Sequence, residues 1–539
     1  MQKHYEALGK AAANYVPLSP ISFLKRAETV YGDRTAFIYG EIHRTWAQVA
    51  GRCRRFADAL KQHGIAAGDT VSVIVPNIPE MFELHFSVPV SGAVLNTINT
   101  RLEAETVAYI LDHADTKLII ADTVFSDLLR NAFDILGRDI EVIEIVDDQA
   151  DTPPGSDRTD YESFLLTGDA DATWHLPDDE WQAISLNYTS GTSGRPKGVV
   201  YHHRGGYLMA LGTVVTWPMT EHTVYLSIVP MFHCNGWNHP WALASIGAKI
   251  IYTRDPVPER IWDAIQHHKV THFGGAPIVL QMLIESAKDA EEPVSPPIKV
   301  FTAGAPPPPA ILQKSQAMGL DVMQVYGLTE TFGHITECLW RDEWADLSAD
   351  EQAQMQSMQG VGFPILEQVR VADKSTGQDV PRDGVTQGEI AVRGNPIMKG
   401  YYKDAAATDD AFKDGWFWTG DAAVMHDNTY VQIRDRLKDV IISGGENISS
   451  IEVEGVLYRH AAVQAAAIVA IPHDRWGEVP CAFIELREGH DATEAEIINF
   501  CKKHLAGFKT PKKVVFGDIP KTSTGKIQKY VLRDRASKV

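Results

Sequence analysis

The chain has 539 residues, 44% of them hydrophobic, and sets 50 Lys and Arg against 70 Asp and Glu for a net charge of -20. That length exceeds a single hydrophobic core, so two or more domains are expected. The acidic balance argues against nucleic acid or an anionic membrane as the main partner. Five cysteines, at 53, 234, 338, 481 and 501, are odd in number and lack C-x-x-C spacing. They speak against a structural zinc site and for a reducing, cytoplasmic setting. No run of eighteen uncharged apolar residues occurs, and Met1 to Lys10 lacks the apolar centre of a signal peptide, so no membrane span is expected. The final Ser537-Lys538-Val539 departs from a peroxisomal tripeptide at its last position.

From Val71 to about Val146, short apolar runs at 71–75, 117–121 and 141–145 alternate with segments of helical period such as Glu103, Val107, Ile110 and Leu111. That alternation predicts β-α units feeding a parallel sheet. The Pro- and Asp-rich stretch from Asp147 to Asp160 reads as a surface loop. A short strand over 183–187 then leads into Tyr188-Thr189-Ser190-Gly191-Thr192-Ser193-Gly194-Arg195-Pro196-Lys197-Gly198.

This stretch reads as a phosphate loop. Glycines at 191, 194 and 198 allow the backbone N–H groups to turn inward, the hydroxyls of Thr189, Ser190, Thr192 and Ser193 add donors, and Lys197 adds charge. It is not a Walker A loop, because no Ser or Thr follows Lys197, nor a nucleophile elbow, because Arg195 stands where Gly-x-Ser-x-Gly needs its last glycine. A flexible linker is the bland alternative, but Arg195-Pro196-Lys197 has no role in one.

Beyond the loop the alternation resumes, with strands near 224–228, 249–252, 271–273 and 299–302 and helices near Pro258–His268 and Pro277–Ser286. A second parallel sheet follows from this, with Pro306 to Pro309 as a rigid lead into the next helix. From Val361 to Arg434 shorter strands and frequent glycines suggest an antiparallel or barrel-like subdomain. After Lys438 about a hundred residues remain, the size of a small α+β domain. The fold class is therefore mixed α/β and α+β, with a large domain over 1–437 and a small one over 438–539.

Five further motifs follow the loop in order: Pro230-Met231-Phe232-His233-Cys234-Asn235-Gly236-Trp237, Gln324-Val325-Tyr326-Gly327-Leu328-Thr329-Glu330, Trp418-Thr419-Gly420-Asp421, Arg434-Asp435-Arg436-Leu437-Lys438-Asp439 through Gly444-Gly445-Glu446-Asn447, and Pro520-Lys521-Thr522-Ser523-Thr524-Gly525-Lys526. Together, over about residues 20 to 535, they resemble the adenylate-forming superfamily of acyl-CoA synthetases, luciferases and peptide-synthetase adenylation domains. The resemblance implies ATP, Mg²⁺ and coenzyme A as cofactors and a carboxylic acid as substrate. The acid attacks the α-phosphate of ATP to give an acyl-adenylate and pyrophosphate, and the CoA thiol then displaces AMP. A small mobile C-terminal domain is implied as well.

The same resemblance assigns residues. Lys526, Glu330, Thr189 and Lys197 form the catalytic set, with Glu330 on Mg²⁺. The nucleotide falls to Thr189, Ser190, Gly191, Thr192, Ser193, Lys197, Gly304, Ala305, Pro306, Tyr326, Gly327, Thr329, Asp421 and Arg436. His233, Trp237, Gly304 and Gly327 border the acyl pocket, Gly444, Gly445 and Glu446 approach coenzyme A, and Lys438 is the hinge. Read alone, Lys526 would be an ordinary surface lysine, Glu330 a solvated glutamate, and His233 with Trp237 a packed pair. The latter two, four residues apart, would project to one side of a helix start.

No acidic residue stands in 232–237 to meet a substrate ammonium, which disfavours an amino acid. The Phe-His-Cys-Asn-Gly-Trp string most resembles ligases for short, medium and aromatic acids, among them methylmercaptopropionate-CoA ligases. Asp435 stands where a glycine often precedes the arginine, a departure that bears on the local backbone. Two other readings stand beside this one: a luciferase-like or carrier-protein-charging adenylating enzyme, and a non-catalytic nucleotide-binding scaffold. A homodimer is left open.

Overall fold

The computed structural model describes residues 4–189, 195–287, 293–437, 439–443, 446–473, 475–522 and 526–536. Four sheets organise them. The first has seven strands, in the order Gly400–Tyr401, Gly198–His202, Ala183–Tyr188, Val94–Thr97, Thr70–Ile74, Thr116–Asp122 and Val142–Ile145. The five from Ala183–Tyr188 onward run parallel. Thr70–Ile74 is buried at every position, as expected of a strand covered on both faces.

The second sheet has nine strands and a parallel centre from Leu320–Leu328 through Ile298–Thr302, His272–Gly275, Val224–Ser227 and Lys249–Tyr252 to Thr35–Tyr39. Helices Pro258–His268 and Pro277–Ser286 each begin on a proline, whose missing N–H costs nothing in the first turn. The alternation read from the sequence is thus present in both sheets. Less expected is that the early hairpin of Thr35–Tyr39 and Ile42–Thr45 joins the second sheet rather than the first.

Between 361 and 436 lies an antiparallel sheet of five strands: Leu366–Ala372, Gly388–Gly394, Trp416–Met425 and Phe412–Lys413 in line, with Val431–Arg436 also paired to Trp416–Met425. The expected barrel does not close among the described residues. Phe412–Lys413 has only two residues, too short to carry a closing ladder.

The remaining chain forms a small sheet of Glu446–Ile448, Ile441–Ser443, Gly477–Leu486, Val463–His473 and Lys513–Phe516. Helices Ser450–Leu457 and Glu494–His504 pack on it around Ile448, Val453, Leu457 and Ile497. This core is separate from the large core shared by the first two sheets. Lys438, the expected hinge, lies outside the described residues.

Candidate functional site

The phosphate loop springs from a β-hairpin. Tyr188 stands opposite Gly198 on antiparallel strands, and at the loop base Thr189 N donates to the Lys197 carbonyl at 3.0 Å while Lys197 N donates to Thr189 Oγ1 at 3.1 Å. Ser190, Gly191, Thr192 and Ser193 lie outside the described residues. The Lys197 ammonium sits 4.6 Å from the ring centroid of Tyr401, and the Tyr401 hydroxyl donates to Glu330 Oε1 at 2.8 Å. One tyrosine therefore joins the loop lysine to the acid of the third motif. Glu330 rides on a short 3-10 turn, Thr329–Thr331, pinned by the Tyr201 hydroxyl on the Thr329 carbonyl at 2.6 Å.

A second cluster is set by strand register. Asp421 and Arg436 face each other on Trp416–Met425 and Val431–Arg436, so Arg436 Nε reaches Asp421 Oδ1 at 2.8 Å. Tyr326 donates its hydroxyl to the other oxygen, Oδ2, at 2.5 Å. Asp421 is buried and has both oxygens engaged. Burial, then the Asp421 charge, lifts the Tyr326 phenol far above its ordinary range, so it stays a donor. Tyr326 leads into Gly327, where a Cβ would fall 1.9 Å from the Gly333 carbonyl oxygen, so no side chain fits. Gly304, at φ +90°, and Ala305 are exposed, with open space above Gly304, and Pro306 is half-buried beside them.

The Phe232–Trp237 stretch departs from expectation. It starts no right-handed helix: Cys234, Asn235, Gly236, Trp237 and Asn238 all take positive φ, at 42°, 45°, 61°, 55° and 64°. Each non-glycine there costs roughly 1–2 kcal/mol, and buried polar contacts offset this. Thr97 Oγ1 and Asn187 Nδ2 donate to the Phe232 carbonyl at 2.9 and 3.2 Å, Ser185 Oγ donates to Asn235 Oδ1 at 2.9 Å, and Asn238 donates to the Phe332 carbonyl. The turn holds the Trp237 indole edge-on to His239 and His334, with centroids 5.9 and 6.3 Å apart. Gly274 backs this group: a Cβ there would stand 2.7 Å from Val229, 3.3 Å from His239 and 3.4 Å from Trp237. Behind the turn, a cavity between Tyr225, Val229, Met231 and His239 encloses about 10 Å³, room for one water at most.

The imidazoles here are neutral. Burial holds His334 down at about 3 and His239 well below its usual value. For His233, burial first and the Lys526 charge second bring it to about 4. The charge of the last motif's lysine, on the small sheet, is thus felt at the second motif on the large one. Lys526 closes its own loop, its N–H donating to Thr522 Oγ1 at 3.0 Å. Glu446 is exposed on the short strand after residue 445, while Gly444 and Gly445 lie outside the described residues.

Sequence reading missed Tyr401, whose only signal is an aromatic pair after Gly400, and the structural weight of Asn235, Asn238 and His334. These polar residues sit in apolar surroundings and look like ordinary core residues in a linear string.

Residues 24–402 match the family described as AMP-binding enzyme and residues 452–526 match the AMP-binding enzyme C-terminal domain. A peroxisomal acetate/butyrate–CoA ligase of Arabidopsis thaliana is 46% identical, covering 99% of this chain and 97% of that one. A 2-methylpropanoate–CoA ligase of Humulus lupulus is 44% identical, covering 98% and 97%. Among solved structures, the o-succinylbenzoate coenzyme A synthetase of Bacillus subtilis with ATP and magnesium superposes with a TM-score of 0.80 at 25% identity, covering 95% of this chain and 99% of that one. No helix among the described residues is long and apolar enough to cross a membrane.

Proposed function

The chain belongs to the AMP-binding enzyme family of adenylate-forming acyl-CoA synthetases, and from that premise we propose that it joins a short aliphatic carboxylic acid, of acetate to 2-methylpropanoate size, to coenzyme A. It is an acid–thiol ligase that uses ATP, Mg²⁺ and coenzyme A. The observation that carries the choice of acid is the wall of Trp237, His239 and His334 closed against Gly274, with a cavity of only about 10 Å³ beside His239. The wall is neutral, so it offers no charge to a second carboxylate or an ammonium. The relatives named above are ligases for small aliphatic acids, and neither name supports 3-methylmercaptopropionate.

In the proposed first step a carboxylate oxygen attacks the α-phosphorus, the bond to the bridging oxygen breaks, and pyrophosphate leaves with its electrons. Two anions must meet, so positive charge has to be in place beforehand. Lys526 is the proposed donor, supported by its charge reaching His233. Lys197 and the flanking hydroxyls of 189–193 are the proposed cradle for the outer phosphates. Asp421 is the proposed acceptor for the ribose hydroxyls, with Arg436 beside it, while Tyr326, Gly327, Thr329 and the open Gly304–Pro306 edge flank the base and the acyl group.

Glu330 suits Mg²⁺: it is a hard oxygen donor with one oxygen on Tyr401 and the other without a hydrogen bond among the described residues. The described residues contain no cluster of three or more ligating side chains. That fits an ion held by one carboxylate, phosphate oxygens and water, which when bound would neutralise charge on the departing pyrophosphate. In the second step the CoA sulfur attacks the acyl carbon and gives up its proton to solvent, the bond from that carbon to the phosphate oxygen breaks, and AMP leaves with its electrons. Gly444, Gly445 and Glu446 are proposed to line its approach after a rotation of the 438–539 unit about Lys438. The five buried thiols fit a compartment that keeps cysteine reduced, for which the cytoplasm is proposed.

The test is CoA-dependent AMP formation across straight, branched, thioether and aromatic acids. Small aliphatic acids should give the highest kcat/KM. A preference for an aromatic or long-chain acid would overturn the reading of the wall.

A further inference from the structure

Asp435 sits on the last strand of the five-stranded sheet, opposite Ala422, and is only 1% exposed. Its Oδ1 accepts from Arg436 N at 2.8 Å, and its Oδ2 accepts from Ser450 N at 2.6 Å. Ser450 opens the helix Ser450–Leu457 of the small unit. The preceding Ser449 caps that helix, accepting from Glu452 N at 3.1 Å while its hydroxyl donates back to the Arg434 carbonyl. One carboxylate therefore ties the backbone of the arginine that grips Asp421 to the first turn of a helix in the other unit.

The link continues toward Lys526. Lys529 Nζ lies 2.8 Å from Glu454 and also bonds the Ser450 hydroxyl. Arg533 pairs with Asp439, just past residue 438. Both belong to the helix Lys529–Ala536 that begins just after Lys526. Elsewhere the two units meet through exposed pairs such as Arg487 with Glu285 at 3.5 Å, contacts that solvent screens. Among the described residues the buried connections gather at this strand end, where the Asp435 carboxylate accepts from Ser450 N and the Ser449 hydroxyl donates to the Arg434 carbonyl.

We propose that Asp435 is a positioning residue: its carboxylate latches the small unit to the large one in the arrangement of this structure, and must release Ser450 before that unit can turn. This rests on the role proposed above for Lys526. The charge-assisted acceptor at a helix start is of a kind that biases such an equilibrium by about tenfold. A purely structural carboxylate would instead affect both half-reactions alike.

The test uses the full chain carrying Glu285→Cys and Arg487→Cys, whose native side chains approach to 3.5 Å. All five natural cysteines are buried, so a short bismaleimide reports how often this arrangement is populated, independently of catalysis. Asp435→Ala should slow the initial cross-linking at least twofold. In the chain without the cysteine pair it should lower acid-dependent ATP–pyrophosphate exchange about tenfold and leave attack of CoA on supplied acyl-adenylate unchanged or faster. Asp435→Asn, which keeps an oxygen for Ser450 N, should fall between. Thr493→Ala removes a comparable cap from Glu494–His504, away from the junction, and should change neither cross-linking nor the ratio of half-reactions. Unchanged cross-linking in Asp435→Ala, or an equal fall in both half-reactions, overturns the latch. If the unsubstituted chain shows no acid-dependent exchange while Asp435→Ala still slows cross-linking, the catalytic reading fails and the latch stands.

Discussion

At the proposed nucleotide end, Asp421, Arg436 and Tyr326 meet as a charged, hydrogen-bonded group set by strand register. At the proposed acyl end, Trp237 meets neutral imidazoles on a left-handed turn held by asparagine side chains. The first end is built to hold charge and the second to exclude it. Adenylation asks for this division, because the phosphates need electrostatic preorganisation while a small aliphatic acid offers only shape beyond its carboxylate. Substitutions at the two ends should therefore fail differently.

The largest effect belongs to the charge side. Lys526→Ala should slow adenylate formation by roughly a hundred- to a thousandfold, the range for losing one preorganised donor. It should leave the reaction of supplied acyl-adenylate with CoA within about a fewfold. Rapid-quench measurement of each half-reaction decides this, and an equal loss in both would blur the division.

On the shape side, Trp237→Ala should shift kcat/KM from small acids toward longer ones by at least about tenfold, since even one methylene in an apolar pocket is worth about ten- to two-hundredfold. The KM for ATP should stay constant. An unchanged acid preference would return Trp237 to an ordinary core role and leave the comparison one-sided.

Stability against acid gives a further expectation, read on the fold rather than on either half-reaction. Burial lowers His85, His202, His233 and His272 from 6.5 to about 4, and His203 and His334 to about 3. For His272 and His202 nearby cations add to this, and for His203 a neighbouring histidine does. With folded values below the unfolded one, the unfolded chain binds more protons across this window. Stability is then fully present above about pH 6.5 and is lost as pH falls toward 4. Thermal melts between pH 7.5 and 4.5 should show Tm falling below about 6.5. A flat profile would contradict the neutral wall.

Much of this architecture is legible in the sequence because hydrophobic alternation and proline positions are local signals. The helices Pro258–His268 and Pro277–Ser286 and the strand Lys249–Tyr252 are read to the residue. The turn at 234–238 is not, since its conformation depends on Thr97, Asn187 and Ser185 from distant strands rather than on its own propensity. Of the two readings over 361–434 the antiparallel one is met, while the barrel-like one takes glycine-rich short strands for closure, a long-range property. The Glu330 motif is plain in the string, but Tyr401, which joins it to Lys197, lies far along the chain and carries no motif. Asp435 looks like a local backbone departure and proves to be an acceptor for the other unit.

The most direct measurement is exchange of labelled pyrophosphate into ATP with a short acid present and coenzyme A omitted. The account predicts exchange that depends on the acid and proceeds without CoA, because the acyl-adenylate forms reversibly before any thiol is needed. Formation of ADP and phosphate in place of AMP and pyrophosphate, or exchange that requires CoA, would contradict it.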